Sequence, residues 1–137
     1  MDRFARFLRL SAPDRRLVLR AALWLALVRL ALWTRPFARV QELVRVAASD
    51  PPRAPAPAPG RLAWAVEAAA QAVPRASCLT QALAAQIMLE RSGAHPELKI
   101  GVATDREAFE AHAWLELDGR PLVGARELER YAELGAR

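Results

Sequence analysis

The sequence predicts an α+β fold. A cysteine at a helix N-terminus is followed by antiparallel strands, and an N-terminal helical hairpin precedes this core. Three observations carry the prediction. Residues 17–48 are apolar at helical spacing, in two runs broken at Pro36. "SCLTQAL" (77–83) sets a capping serine before the only cysteine of the chain. Beyond Pro96 apolar residues alternate, and Asp118-Gly119 separates two such runs by the two residues a tight hairpin takes.

The 137 residues suit one compact domain with room for an appended segment, and 53 % hydrophobic content is enough to bury a core. The composition divides them into a helical region (1–49), a Pro-rich linker (50–60) and a core (61–137). One cysteine forms no internal disulfide, which fits a reducing, cytoplasmic setting. Two scattered histidines and that cysteine lack metal-ligand spacing. The net charge of +5 invites nucleic acid or a membrane surface as partner. However, Lys99 is the only lysine, and an Arg/Ala-rich bias can reflect genome composition alone. No basic run is interleaved with aromatics, so no nucleic-acid partner is expected. The charged N-terminus lacks the apolar run of a secretory signal. "AALWLALV" (21–28) is interrupted by Arg29, short of the roughly 20 apolar residues of a span. Membrane association is thus not favoured.

Element by element, "SAPDRR" reads as a helix start, with Ser11 as cap, Pro13 in the first turn and Asp14 in the capping-box place. The helix that follows is apolar nearly all round from Leu17 to Trp33, so it is buried or leans on a partner or a membrane. Pro36 ends it. A second helix over about 37–48 places Phe37, Val40, Leu43, Val44 and Ala47 on one stripe. "DPPRAPAPAPG" (50–60) holds five of the ten prolines and reads as a polyproline spacer rather than an SH3-type ligand, spanning roughly 30 Å at about 3.1 Å per residue. A helix follows at 62–73, with Trp64, Ala65, Ala68 and Ala72 on one face. The next, over 78–93, is capped by Ser77, carries Leu79, Leu83, Ile87 and Met88, and closes at Gly93. Strands are expected at 98–103, 111–117 and 120–123, with a polar connection at "TDREAFE". A terminal helix is expected at 125–134.

Cys78 therefore stands at a helix N-terminus, where free N–H groups and the helix dipole favour an anion. A lone cysteine also serves as a small buried apolar residue. His112 lies on a strand, alternating with Trp114 and Glu116. A base on that strand could take the thiol proton, let the thiolate attack a carbonyl and protonate the leaving amine. Cysteine first and histidine later is the chain order of papain-like and transglutaminase-like enzymes.

"CLTQALAAQIMLERSG", "ELKIGVA" and "FEAHAWLELDGRPL" together resemble the transglutaminase-like leader peptidases of lasso-peptide biosynthesis. They look like the split form of the B protein, in which the peptidase is a chain of its own. The resemblance covers about residues 61–124, and "LSAPDRRLVLRAALWLALVRLALWTRPF" is similar to that family's N-terminal helical region. It implies a transglutaminase-like, papain-like core and a cysteine protease that removes the leader from a ribosomally made precursor. It also implies a separate leader-recognition protein, an ATP-dependent lasso cyclase and no cofactor for the cleavage. Cys78 is then the nucleophile and His112 the base. The family's third member, an acid on the following strand, has no counterpart. A two-residue turn at Asp118-Gly119 sets Ala125 opposite His112, with Gly124 beside it. Asp118 is about 20 Å along the strand and is explained by the turn. Glu127 reaches the site only if the chain folds back.

Other residues have weaker claims. Glu116, about 13 Å from His112 along the strand, is too far to orient it. Trp114 walls the cleft or packs. Gln81 and Gln86 could face an oxyanion, though the Cys78 N–H is the better donor. His95 is a turn residue, and Asp105, Glu107 and Glu110 form a solvated loop or line the groove. The apolar helix offers a docking surface, and the basic charge suits an acidic leader. Three rival readings stand: an acyl-transfer transglutaminase using the same dyad, an inactive peptide-binding module and a membrane-surface adaptor.

Overall fold

The computed structural model describes residues 2–49, 57–73, 77–105, 108–123 and 132–134. Five helices come first: α1 (Asp2–Arg9), α2 (Ala12–Thr34), α3 (Phe37–Ala47), α4 (Pro59–Ala70) and α5 (Cys78–Arg91). Strands β1 (Glu97–Asp105), β2 (Ala108–Leu117), β3 (Arg120–Val123) and β4 (Ala132–Leu134) follow and form one antiparallel sheet in the order β3-β2-β1-β4.

α5 is the central helix. Thr80, Ala82 to Ala85 and Ile87 to Leu89 are buried, so far more than one stripe is covered. A helix apolar on most sides needs neighbours on most sides. It has α2, α3 and α4 against it, and the sheet beyond. Leu17, Ala21, Leu25 and Val28 of α2, Val40 and Val44 of α3, and Leu62, Ala65, Val66 and Ala69 of α4 join it in one core. Ala113, Leu115 and Val123 bring the sheet into the same cluster. The residues before and after the Pro-rich stretch thus share their buried surface. Arg91, in the last turn of α5, ties three helices together. Its guanidinium donates to the Ala47 carbonyl at 2.8 Å and lies over the Trp24 ring.

The caps follow the sequence. Ser11 accepts from the Asp14 N–H and Ser77 from the Thr80 N–H. Gly93, at φ 97°, closes α5 in the left-handed region. Asp118 and Gly119, at φ 55° and 80°, make the hairpin turn between β2 and β3, where two positive φ values suit the right-handed twist of the strands.

Several expectations change. α1 is a helix that the charged opening did not suggest. α4 begins at Pro59 and not after Gly60, because proline is pre-set for the first helical turn, where its missing N–H is no loss. Its buried face runs through Leu62, Ala65, Val66 and Ala69, while Trp64 and Ala68 are half-buried and Ala72 is exposed. Phe37 and Leu43 of α3 are exposed, so its covered stripe is narrower than expected. β1 and β2 run further toward each other, taking Asp105 and Glu110 into strands. The terminal helix does not extend through 132–134. Those residues are β4, pairing Ala132, Glu133 and Leu134 with Val102, Gly101 and Ile100. An open strand edge offers backbone partners that outweigh local helix propensity. The remainder of that expected helix, and residues 50–56 of the expected linker, lie outside the described residues.

α2, with 23 residues and an 18-residue stretch of mean hydropathy 1.7, is long and apolar enough to cross a bilayer by length and composition. Arg29 does not break it, since a helix tolerates one arginine at its flank. In this fold one face of α2 packs against α4 and α5, and 28 % of its most apolar stretch is buried.

Candidate active site

Cys78 is the first residue of α5. The Ser77 hydroxyl fixes that start twice, accepting from the Thr80 N–H at 3.2 Å and meeting the Thr80 hydroxyl at 3.0 Å. Thr80 is fully buried, so its side chain turns inward and leaves Cys78, half-buried, at the rim of the helix end.

The sulfur meets β2. Ala113 donates its backbone N–H to Cys78 Sγ at 3.4 Å. β3 is described as far as Val123, opposite Leu115, and the sulfur takes an amide two residues further along β2. Strand amides point in the plane of the sheet, so Sγ sits beside the β2 backbone at Ala113. Ala113 belongs to the core-facing side with Leu115. His112, its neighbour, stands on the other side with Trp114 and Glu116.

Those three residues form a row. Trp114 is 4 % exposed although it lies outside the cluster around α5. Its Nε1–H donates to Glu116 Oε2 at 2.9 Å. Its ring runs nearly parallel to the His112 imidazole, with centroids 6.2 Å apart and planes at 21°. A carboxylate thus holds the indole, which lies on the same face of the strand as the imidazole. Glu116 is too far to reach His112 itself, as its spacing implies, but acts on Trp114. Across the ladder His112 faces Gly101 on β1, a position with no side chain beside it.

The structure brings Cys78 and the strand bearing His112 together, and sends other candidates elsewhere. Gln86 donates to Glu90 Oε2 at 3.2 Å and lies about 12 Å along the helix from Cys78, so it is no oxyanion donor. Gln81 is half-buried one turn from Cys78. His95 is exposed in the turn before β1. Asp118 is exposed at the hairpin turn. Glu127, Gly124, Ala125 and Glu107 lie outside the described residues. The expectation that set Ala125 opposite His112 no longer follows. Leu117 pairs with Arg120 and Glu116 with Pro121, but Leu115 pairs with Val123, so a bulge advances the register by one residue.

Sequence reasoning missed the Ala113 amide and the Trp114–Glu116 bond. Alternation pointed to the second, since residues two apart on a strand share a face. A backbone donor leaves no mark in a sequence. Among the described residues no group of three or more His, Cys, Asp or Glu could hold a metal ion.

A family model described as the transglutaminase-like superfamily matches residues 22–136, a span that includes α5 and all four strands. No curated protein and no solved structure matches the chain.

Proposed function

The chain belongs to the transglutaminase-like superfamily, and on that premise we propose that it is a cysteine peptidase that removes the leader from a lasso-peptide precursor. The superfamily includes cysteine proteases and acyltransferases. The observation that carries the reading is the seating of Cys78 Sγ on the amide next to His112. Together with the sequence resemblance over residues 61–124, it favours hydrolysis at a leader–core junction.

The chemistry needs few parts. His112 takes the Cys78 proton, and the thiolate attacks the carbonyl carbon of the last leader residue. The tetrahedral oxyanion is held by backbone N–H groups at the start of α5. As it collapses, the C–N bond breaks and the imidazolium gives its proton to the amine of the core peptide. Water, deprotonated by His112, then resolves the thioester and releases the leader acid. The freed amine suits joining to an acidic side chain by a separate ATP-dependent cyclase. A separate leader-recognition protein delivers the precursor to this cytoplasmic enzyme.

The test is mass spectrometry of precursor peptide incubated with the protein, with and without the leader-recognition protein, beside Cys78→Ala and His112→Ala. One cut at the leader–core junction, lost in both variants, is the expected result. A thioester resolved only by added amine would make the protein an acyltransferase. An uncut but bound precursor under every condition would leave a binding module.

A further inference from the structure

The face of α2 turned away from the core is apolar as well. Leu19, Leu23, Leu27, Leu30 and Trp33 recur at spacings of three and four and are 47–75 % exposed. At about 1.5 Å per residue the ridge is about 21 Å long. Exposed Phe37 and Val46 carry apolar surface onto α3. A row this long on a water-facing helix marks a surface that something else covers.

Charge identifies the cover. Residues 15–41 contain six arginines and no aspartate or glutamate. Residues 1–49 hold ten arginines against three acids, a net +7, whereas the rest of the chain is at −2. Helical spacing sets Arg20 along one flank of the ridge and Arg29 along the other, with Arg16 at its N-terminal end. Arg29 also lies over the Trp33 ring, 5.9 Å from its centroid. A cavity of about 510 Å³ opens beside that N-terminal end, lined by Arg16, Arg20 and Arg61 with Asp14, Leu17 and Pro57. Asp14 pairs with Arg61, which leaves the cavity with an excess of guanidinium.

We propose that α2 docks in the plane of an anionic membrane, its outer ridge set among the upper acyl chains and a lipid phosphate seated in the arginine-lined cavity. The helix does not cross, because its other face is occupied by α4 and α5. A second copy of the chain is a poor cover, since it would set +7 against +7. An acidic protein would answer the charge. The full pattern, an apolar ridge with arginines on both long edges, a terminal tryptophan and a basic cavity with ample room for a phosphate, is what an interfacial helix presents to anionic headgroups. The proposal does not rest on the peptidase reading.

Flotation of the full-length protein with phosphatidylcholine vesicles, with or without about one third phosphatidylglycerol, tests it. The protein is expected to float with the anionic vesicles only, and less in high salt. Arg16→Gln and Arg20→Gln each lower binding about fivefold, and the exposed pair Leu23→Glu and Leu27→Glu lowers it more than about tenfold. Circular dichroism checks that the variants are folded, and the salt and lipid dependence of the unaltered protein decides the matter if they are not. A protein that ignores both vesicles overturns the proposal and leaves the face to an acidic protein partner. Equal binding to neutral vesicles, or binding indifferent to both sets of substitutions in folded variants, overturns it as well.

Discussion

Ser77→Ala should destabilise the chain by more than a helix cap is worth, and the excess should vanish when Thr80 is valine. The Ser77 hydroxyl serves the Thr80 N–H at 3.2 Å and the Thr80 hydroxyl at 3.0 Å. Losing the first costs about 1 kcal/mol. The second matters more because Thr80 is fully buried, where a hydroxyl deprived of its partner costs about 1–3 kcal/mol. Ser77→Ala alone is therefore expected to cost about 2–4 kcal/mol. Thr80→Val removes the hydroxyl at nearly constant shape and leaves Ser77 capping the N–H, at about 0.5–1.5 kcal/mol. In that background Ser77→Ala costs only the cap. Urea unfolding midpoints of the four proteins, at unchanged m, give the coupling. The Ala113 amide, whose hydrogen bond ends on Cys78, is expected to exchange faster in Ser77→Ala. A cost below about 0.5 kcal/mol, or the same cost in both backgrounds, would refute the claim that Ser77 fixes the start of the cysteine helix through Thr80.

Three further outcomes are expected. On the peptidase proposal, Trp114→Phe keeps a ring beside His112 and most precursor cleavage, while Trp114→Ala removes the ring and slows kcat about 10–100-fold; equal rates would show that the stacking has no positioning role. The Asp14 carboxyl sits below its ordinary value of 3.8 because of the hydrogen bond from Arg61, with the Arg61 charge and Ser11 adding to it against partial burial. A lowered folded-state pKa stabilises above the unfolded value and is lost as pH falls through the folded one, so the Tm gap between the protein and Asp14→Asn should be present at neutral pH and close below about pH 4. Gly119→Ala meets nothing within 4 Å yet stands at φ +80°, so it should cost about 1 kcal/mol by backbone strain alone, read from the shift in urea midpoint.

The helices and the hairpin were legible because their signals are local. Ser11, Ser77, Gly93 and Asp118-Gly119 each act within a few residues, and Pro36 stops α2 wherever it packs. Cys78 and His112 were legible as candidates by residue type and chain order. What the sequence hid depends on distant partners. β4 is a strand because the edge of β1 is open to it, and nothing in "ARELERYAEL" shows that edge. The bulge at Leu115/Glu116 is hidden too, since strict alternation carries the register straight through. Trp64 was taken for a buried position, but it takes Arg61 over its ring at 4.6 Å and remains half-buried. The face of α2 could be read as apolar all round. Which half is covered depended on the placement of α4 and α5.

The shared core has a consequence for how the protein comes apart. Leu25, Leu62, Leu83 and Leu115 are all essentially inaccessible to solvent and lie in one cluster, although the Pro-rich stretch falls between the first two. Helices on either side of it have no separate interior to retreat to, so melting should be a single cooperative transition with no surviving half. Cys78 and Ala113, 35 residues apart in sequence, meet only on the folded side of that transition. A lesion on the inner face of α2 would therefore lower the population of the intact site without altering any atom in it, and would register as a loss of active protein rather than as a change in chemistry.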